Sequence, residues 1–263
     1  MLPITSLDDP RIWAYRNLKD RELARDGGRF IAEGELILRR LMASDYPVES
    51  VLLSERRAAE IAPLVWPGVP IYLAPEEVLR QIIGYKFQSG IVAVGRRKPD
   101  LLLEQLPVLS QSSTTLVICP ETASAANMGS LIRISAAFGV DAVVLGERCC
   151  DPFWRQSIRV SMGTIFSIPL VRSDDLLRDL RRLKERWGFE MVATVLDEQA
   201  EPLRVAKRGK RLGIVFGNEA QGLDRETIET CDRRITIPMR QGVDSLNVAV
   251  AAGIVLYHFS RNF

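Results

Sequence analysis

Three polar clusters hold the residues able to do chemistry. In "ASAANMGSLIRIS", Asn127 is followed by Gly129 and, six positions on, by Arg133. In "VFGNEAQGL", an apolar run meets Gly217, Asn218, the carboxylate of Glu219 and Gly222. In "IPMRQGVDSLNVAV", Ile237, Pro238 and Met239 lead to Gly242, Ser245, Leu246 and Asn247. Amides, a hydroxyl, a carboxylate and a guanidinium can orient a polar substrate and stabilise developing negative charge. The single histidine, His258, lies late in an apolar helix and reads as a helix-end residue satisfying carbonyls, so an imidazole base is not expected. Taken singly, Asn-x-Gly-x-x-x-Arg is explained by a turn and a helix cap. Three such clusters in order are far more specific.

The elements that must position these clusters alternate. Apolar runs such as "TLVICP", "DAVVLG", "FEMVATVL", "RLGIVFGNE" and "RRITIPM" predict buried strands. Between them, "NMGSLIRISAAFG", "DPFWRQSIRVSMG", "SDDLLRDLRRLKERWG" (Ser173 as N-cap, Gly188 as stop) and "DRETIETC" predict helices, and "IFSIPLV" a short strand. This pattern argues for an α/β fold with a mostly parallel, doubly wound sheet. Each polar cluster then follows the carboxyl end of a strand, where such sheets bind ligands. A smaller α/β unit precedes it, with strands at "RFIAEG", "VESVLLS", "VPIYLA" and "SGIVAVG". We expect domains at 1–98 and 114–263, joined by a linker at 99–113 whose leucine-rich patch docks on either neighbour.

Composition narrows the class. Hydrophobic residues are 47% and charged residues 26% of the chain, as in an ordinary globular protein, and net charge is only +2. An acidic partner must therefore be held by local patches, of which "RRK" (96–98), "RDLRRLKER" (178–186) and "RVAKRGKR" (204–211) are candidates for RNA. Arg11, Arg16, Lys19 and Arg21 are further candidates. Cys119, Cys149, Cys150 and Cys231 show no C-x-x-C spacing, which suggests neither a disulfide framework nor a zinc site and points to a reducing cytosol. No signal peptide or membrane span is expected. The glycine-rich dinucleotide, P-loop and G-x-S-x-G signatures are absent, which removes the commonest alternative α/β enzymes.

At these residues the chain resembles the SpoU-type RNA 2'-O-ribose methyltransferases, the TrmH-like branch of the SPOUT superfamily. The matching stretches are "NMGSLIR", "FGNEAQGL" and "IPMRQGVDSLNVAVAAGIVLY", with "VSMGTIFSIPL" between them. "RFIAEGELILRRLM" and "QSGIVAV" resemble the L30e-like substrate-binding domain often joined to this enzyme. "ETASAAN" departs from the Asp and Pro that commonly precede the Asn.

The resemblance implies a deep trefoil knot in the C-terminal domain, S-adenosylmethionine as cofactor, no metal, a homodimer and a cytoplasmic enzyme. Arg133 would be the catalytic arginine, with Asn127, Glu219, Ser245 and Asn247 orienting it and the ribose. Gly217, Ile237, Met239 and Leu246 would hold the cofactor. The implied substrate is structured RNA, ribosomal favoured over transfer RNA. A base methyltransferase and a non-catalytic RNA-binding protein on the same scaffold remain the alternatives. Gly242 is expected to permit unusual backbone angles, Asp244 or Ser245 to cap the last helix, and small residues through Gly253 to allow close packing.

Overall fold

The structure is a computed structural model that describes residues 1–16, 28–83, 89–240 and 245–260. Lys19, Arg21, Gly242 and Asp244 lie outside the described residues. Contacts divide the chain into two compact units, Met1–Pro99 with Pro152–Ser167, and Asp100–Asp151 with Ile168–Phe263.

The first unit is built on a five-stranded sheet. Its strands are β1 (Leu2–Pro3), β2 (Arg29–Glu33), β3 (Val48–Ser54), β4 (Ile71–Ala74) and β5 (Ile91–Arg96), in the order β1-β4-β3-β5-β2. Strands β1, β4 and β3 run parallel, while β5 is antiparallel to both its neighbours. Phe30 on β2 packs its ring over Gly95, where an added Cβ would lie 2.3 Å from the ring. It meets Phe153 and Phe166 at centroid distances of 5.4 Å each, and Tyr46 at 5.9 Å. Phe153 and Phe166 belong to the segment 152–167, which falls within the expected C-terminal domain, 114–263, but packs with the first unit. That segment is also held by Arg155 pairing with Glu33 at 3.3 Å and by Arg40 donating to the Met162 carbonyl at 2.6 Å. Phe30 and Glu33 of the "RFIAEG" stretch thus grip residues far along the chain.

The second unit is a seven-stranded, all-parallel sheet. Its strands are β6 (Thr114–Cys119), β7 (Ala142–Leu145), β8 (Leu170–Arg172), β9 (Glu190–Thr194), β10 (Glu201–Pro202), β11 (Arg211–Val215) and β12 (Arg233–Thr236). The order is β10-β12-β9-β11-β6-β7-β8. From β6 the chain steps outward through β7 and β8, then crosses to β9 on the other side of the sheet. Strand β11 returns between β9 and β6, so the carboxyl ends of β9, β11 and β6 meet where strand order reverses, the setting in which open α/β sheets form clefts.

Several local expectations change. The expected linker is part of the second unit from Asp100 on. Leu103, Leu106 and Leu109 recur every third residue along two 3-10 turns and are buried in its core, each burial stabilising by about 1.5–3 kcal/mol. Helix Leu176–Trp187 is capped by Asp175, which accepts from the Arg178 N–H at 3.0 Å. Ser173 is instead buried and donates to Asp179 at 2.7 Å. Gly188 closes that helix with φ +64, as expected. "IFSIPLV" is strand only at its end, since Thr164–Phe166 forms a 3-10 turn. The last helix, Val248–Phe259, is capped by Asn247.

The basic stretches are largely committed within the chain. Arg208 donates to the Phe259 carbonyl, Ser113 and Thr115, pinning the end of the last helix to the start of β6. Arg211 donates to the carbonyls of Gln111 and Trp187. Arg182 pairs with Glu104, Lys184 with Asp232, Arg96 with Glu49 and Lys98 with Asp45. Arg11 pairs with Asp9, and Arg16 with Asp8. Among the described residues, no helix is long and apolar enough to cross a membrane.

Candidate active site

Helix Ala125–Ala137 starts just after β6, and its first turn decides where Asn127 stands. Ser124 is the N-cap, its hydroxyl accepting from the Asn127 N–H at 3.3 Å. The departure at "ETASAAN" therefore keeps the cap, because Ser can offer the acceptor that an Asp would. The Asn127 side chain then sits at the helix entrance.

Glu219 arrives on the turn after β11. The turn is closed by reciprocal backbone hydrogen bonds between Asn218 and Gly222, both 2.9 Å, with Gly222 at φ +71. The Asn218 side-chain oxygen accepts from Ala220 N at 2.8 Å and Gln221 N at 3.2 Å. Gly217 permits the closure, for a Cβ there would come within 2.5 Å of the Gly222 carbonyl carbon.

The three clusters converge in a directed chain of hydrogen bonds. Asn247 accepts from the Ala249 N–H at 2.9 Å, which fixes its oxygen toward the last helix and leaves its amide to donate. That amide donates to Asn127 Oδ1 at 3.0 Å. Asn127 Nδ2 in turn donates to Glu219 Oε1 at 2.8 Å. A backbone N–H at one end and a carboxylate at the other set both amide orientations. Helix Val248–Phe259 packs on helix Ala125–Ala137, which holds the two asparagines at this spacing.

Beside this chain lies a cavity of about 520 Å³. Gly217, Ile237, Met239, Leu246, Ser245 and Glu219 all line it. Sequence reading missed Thr194–Asp197 and Arg234, which line it too; Arg234 pairs with Asp197 at 3.1 Å. The signal available was their place after β9 and within β12. Arg133 stands apart. It is exposed on helix Ala125–Ala137 and makes no hydrogen bond or ion pair among the described residues. Of the nine site residues expected, the structure brings eight to the cavity or its hydrogen-bonded rim, and Arg133 is not joined to them within one chain.

Residues 114–257 match the SpoU rRNA Methylase family. The chain belongs to that family. An uncharacterized tRNA/rRNA methyltransferase of Mycobacterium tuberculosis is 34% identical, over 97% of this chain and 90% of its own. The 23S rRNA (guanosine-2'-O-)-methyltransferase RlmB of Escherichia coli K12 is 33% identical, over 81% and 89%. Among solved structures, an AdoMet-bound rRNA methyltransferase from Sinorhizobium meliloti superposes with a TM-score of 0.85 at 25% identity, covering 97% of this chain and 96% of that one. In this SpoU methylase, Glu219, Ser245 and Asn247 of the polar rim are all exposed.

Three buried thiols, those of Cys119, Cys149 and Cys150, lie near this end of the sheet. Burial pushes Cys149 up to about 11 and Cys150 up to about 12, and holds Cys119 well above its ordinary value. Cys231 is also raised by burial, to about 12.

Proposed function

We propose that the protein transfers a methyl group from S-adenosylmethionine to a ribose 2'-hydroxyl of ribosomal RNA. The observation that carries this reading is the Asn247–Asn127–Glu219 chain set on the rim of the cavity. The cavity suits the cofactor. Its volume falls within the roughly 300–1,000 Å³ of small-molecule sites, its Ile235, Ile237, Met239 and Leu246 offer an apolar wall for a purine, and its Glu219, Ser245 and Thr194 offer polar groups. Gly217, Ile237, Met239 and Leu246 would hold it. The bound cofactor supplies an electrophilic methyl on a sulfonium.

The chain's own residues then orient and stabilise. Asn127, Glu219, Ser245 and Asn247 align the ribose, since in-line attack needs reacting atoms about 3–3.5 Å apart. Arg133, with a guanidinium that keeps its proton to pH above about 12, stabilises negative charge growing on the 2'-oxygen. We place Arg133 across a homodimer. It has no hydrogen-bond or ion-pair partner among the described residues, and the helix it rides packs on the last helix. That last helix exposes Val250, Ile254 and Tyr257 in one stripe, at 52%, 40% and 61%. Gly253 falls on the same stripe, and an added Cβ there meets nothing within 4 Å among the described residues. Nothing among the described residues requires its smallness, which fits the close approach of a second helix.

RNA would be held by exposed Arg204, Lys207 and Lys210 and by the first unit, read as L30e-like, mostly through phosphates. The threaded C-terminal segment and the cytoplasmic setting belong to the same reading. Incubation with S-adenosylmethionine and 23S rRNA, followed by mapping of linkages that resist alkaline cleavage, tests it. Methylation of a base, or none at all, rejects it.

A further inference from the structure

We propose that Glu121 and Arg148, which lie outside the cavity lining, are positioning residues that brace the Glu219 turn for methyl transfer. The proposal rests on the methyltransferase reading above. Glu121 stands two residues beyond β6 and uses both carboxylate oxygens. Oε1 accepts from Asn218 Nδ2 at 3.0 Å, and Oε2 pairs with Arg148 Nε at 3.0 Å. Arg148, in the loop after β7, also reaches Asp224 Oδ2 at 3.0 Å. Asp224 in turn caps helix Arg225–Thr230, accepting from Thr227 N at 2.8 Å. The turn between Asn218 and Asp224 is thus tied from outside at both ends. Glu219 lies between the ties and reaches Asn127.

Loop 146–150 is itself well anchored, so the brace rests on a firm base. Gly146 approaches Pro120 so closely that a Cβ would lie 2.6 Å from its carbonyl oxygen. Cys150 N donates to the Thr122 carbonyl at 2.9 Å, and Cys149 Sγ to the Cys119 carbonyl at 3.0 Å. Three strand ends, those of β6, β7 and β11, are therefore locked together on one side of the turn.

Magnitudes separate a positioning role from a merely structural one. The Arg148 side chain is 59% exposed and those of Asp224 and Glu121 are 46% and 30%. Exposed pairs of this kind add little to folding stability. Alignment at a reacting centre is far more demanding, and a displacement of about 1 Å can cost about 100-fold in rate.

The test compares Glu121→Ala, Glu121→Gln, Arg148→Ala and the Glu121→Ala/Arg148→Ala double variant with the wild-type protein. The readouts are thermal midpoint, cofactor Kd by calorimetry, and kcat and KM for methylation of 23S rRNA. We expect Glu121→Ala to lower kcat about tenfold, leave KM for RNA within about twofold and shift the midpoint by less than about 2 °C. Glu121→Gln keeps an acceptor for Asn218 but gives up the charged contact with Arg148, so its kcat should lie between those of the wild type and Glu121→Ala. The double variant should be no slower than Glu121→Ala, because both changes release the same turn. Wild-type kcat in Glu121→Ala, a Glu121→Gln as slow as the alanine variant, or rate loss that tracks a falling midpoint each overturns the brace. A wild-type protein that neither binds S-adenosylmethionine nor methylates RNA overturns the functional reading itself, which is a separate result.

Discussion

Gly217→Ala isolates the geometry of the proposed cofactor site. The added methyl would lie 2.5 Å from the Gly222 carbonyl carbon, 2.7 Å from Leu223 N and 2.8 Å from Gly222 Cα. Non-bonded carbons rest about 3.5–4.0 Å apart, so something must move by about 1 Å. All three neighbours are backbone atoms of a turn closed by its own hydrogen bonds, and no flexible side chain is there to yield. Overpacking of this kind costs about 1–3 kcal/mol. Gly222 and Leu223 both line the cavity, so the strain is relieved by deforming its wall. If the wall must be restored on binding, Kd for S-adenosylmethionine rises about 5- to 150-fold. Isothermal titration calorimetry measures this directly, with circular dichroism confirming that the variant is folded. A folded Gly217→Ala protein with wild-type affinity would refute the placement of the cofactor.

Other outcomes follow from the same geometry. Arg133→Ala should abolish methyl transfer while leaving cofactor affinity within about twofold, a split of the kind expected when only transition-state contacts are lost; retained turnover removes Arg133 from the chemistry. Asn127→Asp replaces the amide donor by a carboxylate facing Glu219 Oε1, so it should lower kcat more than Asn127→Ser, and equal losses would argue that the directed chain is unimportant. Tyr257→Asp puts a charge on the exposed stripe and should shift the protein toward monomer in light scattering, with activity falling in parallel. The thiols give a pH prediction with a definite sign. Because burial raises Cys149 to about 11 and Cys150 and Cys231 to about 12, they stay protonated at pH 8 and should react with Ellman's reagent far more slowly than after unfolding. The unfolded thiols ionise first, so stability should decline as pH rises from about 8.5 toward those values.

Strand and helix placement was legible because local cues agreed. Apolar runs such as "VESVLLS" and "TLVICP" lie in strands β3 and β6, and Gly188 and Asp224 mark helix ends as their residue types suggest. What failed depended on partners distant in sequence. Ser173 is as good a cap by type as Asp175, but Asp179 takes its hydroxyl. Basic stretches announced charge without showing that Glu104, Asp232 and Glu49 would engage them. The site residues were legible as three clusters. Their convergence was not, since Asn127 and Asn247 are separated by 120 positions and meet only because two helices pack side by side. Thr194–Asp197 carry no distinctive residue pattern and become visible only once β9 is known to lie beside β11.

The split composition of the first unit bears on how the protein is made. A ribosome that has released residue 99 has delivered every strand of the smaller sheet, yet not Phe153 and Phe166, which cover Phe30. Closure of that unit must wait until β6 and β7 of the larger sheet have already emerged. The amino-terminal module is therefore not a cassette that gene fusion could transplant by cutting at its apparent end; a graft would need the later segment too.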